Sequence, residues 1–148
     1  MYNTLLILHN LLRWVFLAAA IYAILRSVLG LMNKNVYNKS DNTAGSMLVA
    51  LAHTQLLIGI ILLFVSPVIQ AAMQDMGAAM KDKTLRLQLI EHPLTMIIGV
   101  VLIQIGRIRT RKAYADADKY KRSLIFYGLG LLLILSRIPW GNSPLYRF

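Results

Sequence analysis

The sequence contains no cysteine. That excludes disulfides, thiolate metal sites, iron–sulfur clusters and covalent haem attachment through a CxxCH motif. It is also short of acid: Asp and Glu together number 6 against 16 Lys and Arg, and charged residues make up only 15% of 148. A soluble domain carries about 25% charged residues and about 45–50% apolar ones. This chain reaches 57% hydrophobic residues with a mean hydropathy of +0.59, the balance of a membrane protein. A net charge of +10 invites a nucleic-acid reading, but the basic residues fall between long apolar runs and form no stripe along a polar surface. No nucleic-acid partner is expected. There is no P-loop, GxGxxG, HExxH or Ser-His-Asp set, so hydrolytic or nucleotide-driven work has no visible machinery.

What is present is a set of apolar runs. A membrane-spanning helix needs about 20 largely apolar residues. Four stretches qualify: about 4–29, 45–70, 87–106 and 123–140. The first lacks a basic start and a small-residue cleavage site, so it reads as a retained helix and not as a leader. The connections are short. Asn33 to Ser46 is polar, with Ser40 or Asp41 placed to cap the second helix. Met73 to Arg86 is mildly amphipathic, and Arg107 to Arg122 is strongly basic. The expected fold is all-α: one integral membrane domain over residues 1–148, an up-down-up-down four-helix bundle. Sequence neighbours pack together, and helices one and three, like two and four, lie on diagonals.

Orientation follows from lysine and arginine. The ends after helices one and three carry Arg26, Lys34, Lys39 and the cations between Arg107 and Arg122. The opposite end carries Lys81, Lys83, Arg86 and Arg147. The positive-inside rule puts the first set in the cytoplasm and both termini outside. Contact with anionic lipid accounts for the basic loop, including its interleaved Tyr114 and Tyr120.

Ionisable groups inside apolar spans are functional candidates, and all three histidines fall there. At 1.5 Å per residue, His9 lies about 10 Å and His92 about 7 Å to the outer side of the midplane, while His53 lies about 7 Å to the cytoplasmic side. His9 and His92 therefore share a layer on diagonal helices, where two neutral imidazoles reach opposite faces of one haem iron. Arg13, one turn deeper than His9, and Arg137 on helix four are candidates to neutralise the haem propionates. Gly99, seven residues after His92 and close to its face, leaves room for a flat ligand. Pro93 frees a backbone carbonyl beside His92. Interhelical hydrogen bonding and close helix packing are the plainer reading of the same histidines and glycines.

Three further features carry weaker chemistry. Tyr22, His53, Gln55, Gln104 and Tyr127 fall at comparable depth and would suit a quinone head group or a second haem, or simply a belt of interhelical hydrogen bonds. Met73, Met76 and Met80 have the spacing of one helical face and thioethers that suit copper(I); an amphipathic surface helix is the simpler account. Glu91 is placed to receive a proton or to hold the His92 tautomer.

The segments His9–Trp14, Ala52–Gly59 and Glu91-His92-Pro93 resemble a family of small four-span bacterial membrane proteins labelled cytochrome b-like and found in Bacteroidota. Asp75–Asp82 and Arg137–Trp140 are similar to it as well, so the likeness covers most of the chain. The resemblance implies haem b and electron transfer, and it carries His9, His53 and His92 as haem or redox-site positions. Depth matching selects His9 and His92 as the axial pair. The expected function is a membrane b-type cytochrome exchanging electrons with quinone or a partner respiratory complex. The alternatives are a non-redox accessory or assembly subunit of a larger membrane complex, and copper or proton handling through the methionines, His9 and Glu91.

Overall fold

A computed structural model of the chain describes residues 1–142; Arg147, counted above for orientation, lies outside the described residues. The described residues are helical nearly throughout. Four long helices, α1 (Tyr2–Met32), α2 (Lys39–Val65), α6 (His92–Lys112) and α7 (Asp116–Ser136), form the bundle. Between α2 and α6 the chain runs through α3 (Pro67–Gln74), α4 (Met76–Lys81), α5 (Lys83–Arg86) and a π-helical turn at Leu87–Glu91. A short 3-10 turn covers Trp140–Asn142.

Two regions differ from the sequence reading: both ends of α2 and the α6–α7 connection. Helix α2 starts earlier than 45 because Asn38, not Ser40 or Asp41, is its cap. The Asn38 side chain accepts from the Ser40 and Asp41 amides, while the Asp41 carboxylate takes the Asn38 amide, a complete capping box. It stops at Ser66 because Pro67 opens α3 instead of continuing it, with Ser66 capping the new helix. The basic connection is the second difference. Arg107, Arg109, Arg111 and Lys112 all belong to α6, and only Ala113–Ala115 separates it from α7. Cations at the end of α6 and Asp116 and Asp118 at the start of α7 suit the two helix dipoles.

Three helical stretches are long and apolar enough to cross a membrane: Tyr2–Met32, Lys39–Val65 and Lys83–Lys112. Only 33%, 22% and 28% of their most apolar windows are buried inside the molecule. Most residues of those windows therefore lie on the outside of the molecule, an apolar surface of the kind that lipid covers. Helix α7 is not among them. Lys119, Lys121 and Arg122 occupy its first turns, and it ends at Ser136, short of the expected 140. Three apolar helices in an all-α bundle make a multi-pass membrane protein the plausible class.

The packing is that of a square. Helix α1 lies against α2 and α7, and α6 lies against the same two, so α1 faces α6 across the diagonal. Ion pairing of Arg26 near the end of α1 with Asp41 near the start of α2, at 2.6 Å, shows that these neighbours run antiparallel. The Thr110–Ser123 hydroxyl pair, at 3.0 Å, does the same for α6 and α7. Phe16, Ala20, Leu48, Ala52, Ile103 and Tyr127 fill the centre. A smaller cluster of Ile69, Ala72, Ala79 and Leu89 ties the short helices to the entry of α6.

Candidate functional site

The histidines of α1 and α6 meet inside the bundle. The His9 and His92 ring centroids are 6.4 Å apart with planes at 83°. A metal–nitrogen bond to imidazole is about 2.0–2.1 Å, and the ring centre lies about 1.1 Å behind the nitrogen, so two rings trans on one ion have centres about 6.3 Å apart. The observed 6.4 Å matches that spacing and also falls within the roughly 4.5–7 Å of ordinary edge-to-face ring contacts.

Local structure explains how His92 arrives there. Pro93 has no N–H, and its ring clashes with the carbonyl four residues back, at Leu89. The chain widens into the π turn Leu87–Glu91 immediately before this point, and His92 is the first residue of the regular helix beyond it. Its Nδ1–H donates to the Arg137 carbonyl at 2.8 Å. That bond fixes the tautomer and leaves Nε2 with a free lone pair, the form in which imidazole binds a metal. The guanidinium of Arg137 is turned elsewhere: it pairs with Glu91 at 3.3 Å, while Arg86 holds the other Glu91 oxygen at 2.9 Å. The propionate role assigned to Arg137 from sequence therefore meets a prior partner, and what Arg137 brings to His92 is its main-chain oxygen.

His9 is seated from the other side. Gly59 on α2 faces it so closely that a Cβ there would lie 3.2 Å from His9 Cε1. Gln55, one turn back on the same face of α2, donates from Nε2 to the His9 carbonyl at 2.7 Å. Next to these rings is a cavity of about 280 Å³ bordered by His9, Asn10, Arg13, Gln55, His92 and Met96, among others. Among the described residues, His9 Nδ1, Asn10 Nδ2 and Gln55 Oε1 are buried with no hydrogen-bond partner. Buried polar atoms in native proteins are nearly always satisfied. These three atoms, on residues that border one cavity, leave hydrogen-bonding capacity for a bound group or water. Arg13 is buried and lies within 5.3 Å of the Trp14 ring and 5.6 Å of the Trp140 ring.

Other candidates fall outside this site. His53 is exposed on the outer face of α2, with Nδ1 bonded to its own helix at the Val49 carbonyl, 2.9 Å away. The earlier start of α2 moves it toward mid-helix, so the cytoplasmic layer expected from sequence does not assemble. Tyr22 faces out, Tyr127 is buried and Gln55 belongs with His9. Gly99 leaves no space for a ligand: its missing Cβ makes room for Ile134 and for the backbone of Gly130 on α7. The methionines do not share a helical face either, because the chain breaks at Asp75 between Met73 on α3 and Met76 and Met80 on α4. Met73 and Met76 are exposed, and Met80 packs on the small apolar cluster.

Sequence reading missed Asn10 and Gly59 and misplaced Gln55. The available signal was the spacing Ala52, Gln55, Gly59, which puts two small residues and one amide on a single face of an apolar helix. Comparison with family models, curated proteins and solved structures finds no match for this chain.

Proposed function

We propose that the chain is a membrane b-type cytochrome: a four-span bundle, with α7 as the fourth span, that holds one haem between His9 and His92. The reading is supported above all by the 6.4 Å spacing of two imidazoles on diagonal helices. The donor set points the same way. Among the described residues no three His, Asp or Glu side chains come together as a metal cluster. Two histidines are too few for a closed tetrahedral ion, but they suffice for a macrocycle that brings four nitrogens of its own. Arg13, bordering the cavity, is the cation placed for a propionate.

The chain's own groups have definite tasks in this reading. His9 and His92 are the residues that would hold the iron through their ring nitrogens, and the Arg137 carbonyl holds the His92 tautomer. Gln55 ties the His9 main chain to α2. When bound, haem iron supplies one-electron transfer between its ferric and ferrous states. The cavity is at the small end for a ligand pocket, where about 300–1,000 Å³ is usual. Helices α2 and α6 meet more sparsely than the other neighbouring pairs, so seating the macrocycle calls on these two to part. With both termini periplasmic, the site lies in the outer leaflet, and a quinone or a partner respiratory complex is the redox partner in reach of it.

The test is the visible spectrum of protein purified in detergent from haem-replete cells. Oxidised and dithionite-reduced samples should differ by the Soret and α bands of haem b. His9→Ala and His92→Ala should each remove most of that difference, and His53→Ala should retain it. A colourless wild-type protein, or full haem in the double His9→Ala/His92→Ala variant, overturns the proposal.

A further inference from the structure

The opposite end of the bundle carries a second, unrelated feature. A groove of about 400 Å³ opens between the α1–α2 connection and the α6–α7 corner, and Tyr37, Asn38, Lys39, Asn42, Arg111 and Lys119 border it. Three of these are cations, and no carboxylate is among the bordering side chains. The nearby acids are engaged. Asp41 is held by Arg26 at 2.6 Å and by the Tyr120 hydroxyl at 2.7 Å, and Asp116 lies 3.8 Å from Lys119.

Behind the groove sits Arg107, only 6% exposed. It donates from Nη2 to Asn42 Oδ1 at 2.7 Å and to Ser46 Oγ at 2.8 Å. With its oxygen taken by a buried cation, the Asn42 side chain has only its NH₂ group, a double donor, left for anything in the groove. Tyr37 adds a phenol. Burial holds it above its ordinary pKa, so at neutral pH it stays a hydroxyl donor. The Lys119 ammonium lies 5.5 Å from the centre of the Tyr37 ring and is thereby kept near the groove. Cations and neutral donors converge here, and their charge is reinforced from behind by a guanidinium that cannot reach water. That is the recognition chemistry of a phosphate oxyanion.

We propose that this groove binds a phosphate group, as the head-group phosphodiester of an anionic membrane lipid or as free phosphate. In the membrane orientation proposed above the groove lies at head-group level in the cytoplasmic leaflet, where basic pockets between helices meet anionic lipid. The site is at the other end of the bundle from His9 and His92, so it stands or falls independently of the haem.

The experiment is native mass spectrometry of the purified protein in a neutral maltoside detergent, titrated with phosphatidylglycerol or with phosphatidylcholine. Wild type should retain phosphatidylglycerol at concentrations where phosphatidylcholine is lost. Lys39→Ala/Arg111→Ala/Lys119→Ala should weaken that retention on the order of a hundredfold at low salt. Asn42→Asp keeps a partner for Arg107, so the fold is preserved, yet puts a negative charge in the groove; it should cost about tenfold or more. Displacement of the lipid by millimolar inorganic phosphate identifies free phosphate as the ligand, and retention identifies the lipid. Lys112→Ala/Lys121→Ala/Arg122→Ala removes equal charge from the same end outside the groove. Equal losses in the two triple variants, equal retention of both lipids by wild type, or an unaffected groove variant would each overturn the proposal.

Discussion

Replacing Gly130 by alanine tests the packing that sets His92 beside Arg137. Helices α6 and α7 come close enough at Gly99 and Gly130 for each glycine to face the other's backbone carbonyl. A Cβ at Gly130 would lie 2.7 Å from Ile103 Cγ1 and 2.9 Å from the Gly99 carbonyl oxygen. The Ile103 side chain has other rotamers, but a backbone oxygen moves only with its helix. Overpacking of this kind costs about 1–3 kcal/mol, and a backbone clash places it near the upper end. Alanine in a helix returns up to about 1 kcal/mol relative to glycine. The net loss is then about 2 kcal/mol, and in a chain of this size each 1 kcal/mol shifts the melting temperature by about 2–4 °C. Gly130→Ala should therefore melt about 4–8 °C below wild type in the same detergent. A methyl group at Gly128, on the same helix, would meet nothing within 4 Å; Gly128→Ala gains only the helix term and should melt at or slightly above wild type. The assay is a thermal scan by circular dichroism on matched samples. A Gly130→Ala protein as stable as Gly128→Ala would refute the close-approach argument.

Other outcomes follow from single contacts. Asp41→Ala removes the partner of Arg26, the acceptor for Tyr120 and half of the α2 capping box; it should cost about 2 kcal/mol, less than a fully buried pair because Arg26 reaches solvent. Chemical denaturation in detergent reads it. Gly59→Ala sets a methyl 3.2 Å from His9 Cε1, so it should lower haem content with little change in melting temperature, measured by the ratio of Soret to protein absorbance. Glu91→Gln loosens the clamp on Arg137, whose carbonyl holds His92; a shift in haem midpoint potential with the protein still fully loaded is expected, and potentiometric titration follows it.

The helical class was legible because apolar runs leave few alternatives: backbone in lipid must satisfy itself, and a helix does so. The diagonal placement of α1 and α6 followed from short connections, and depth along those helices brought His9 and His92 to one layer. What failed was fine register. Hydropathy marked only the apolar stretch 45–70 and the cap was read two or three residues late, at Ser40 or Asp41, whereas Asn38 and Pro67 set the ends. That slip misplaced Gln55 and gave His53 a layer it does not share. Gly99 was misread for a related reason: a glycine on an apolar helix signals close approach, and sequence does not say whether to a ligand or to another helix. Here it is the backbone of Gly130. The Arg137 carbonyl was beyond reach because main-chain partners leave no trace in side-chain pattern.

The most direct test of the central claim is low-temperature electron paramagnetic resonance of the oxidised, purified protein. Two imidazoles on one ferric haem give a low-spin centre, and ring planes near the 83° found between His9 and His92 give it a strongly anisotropic signal. The account predicts that signal in wild type and in His53→Ala, and its loss in His9→Ala and in His92→Ala. A high-spin centre in wild type, or a low-spin signal that survives removal of both rings, would contradict it.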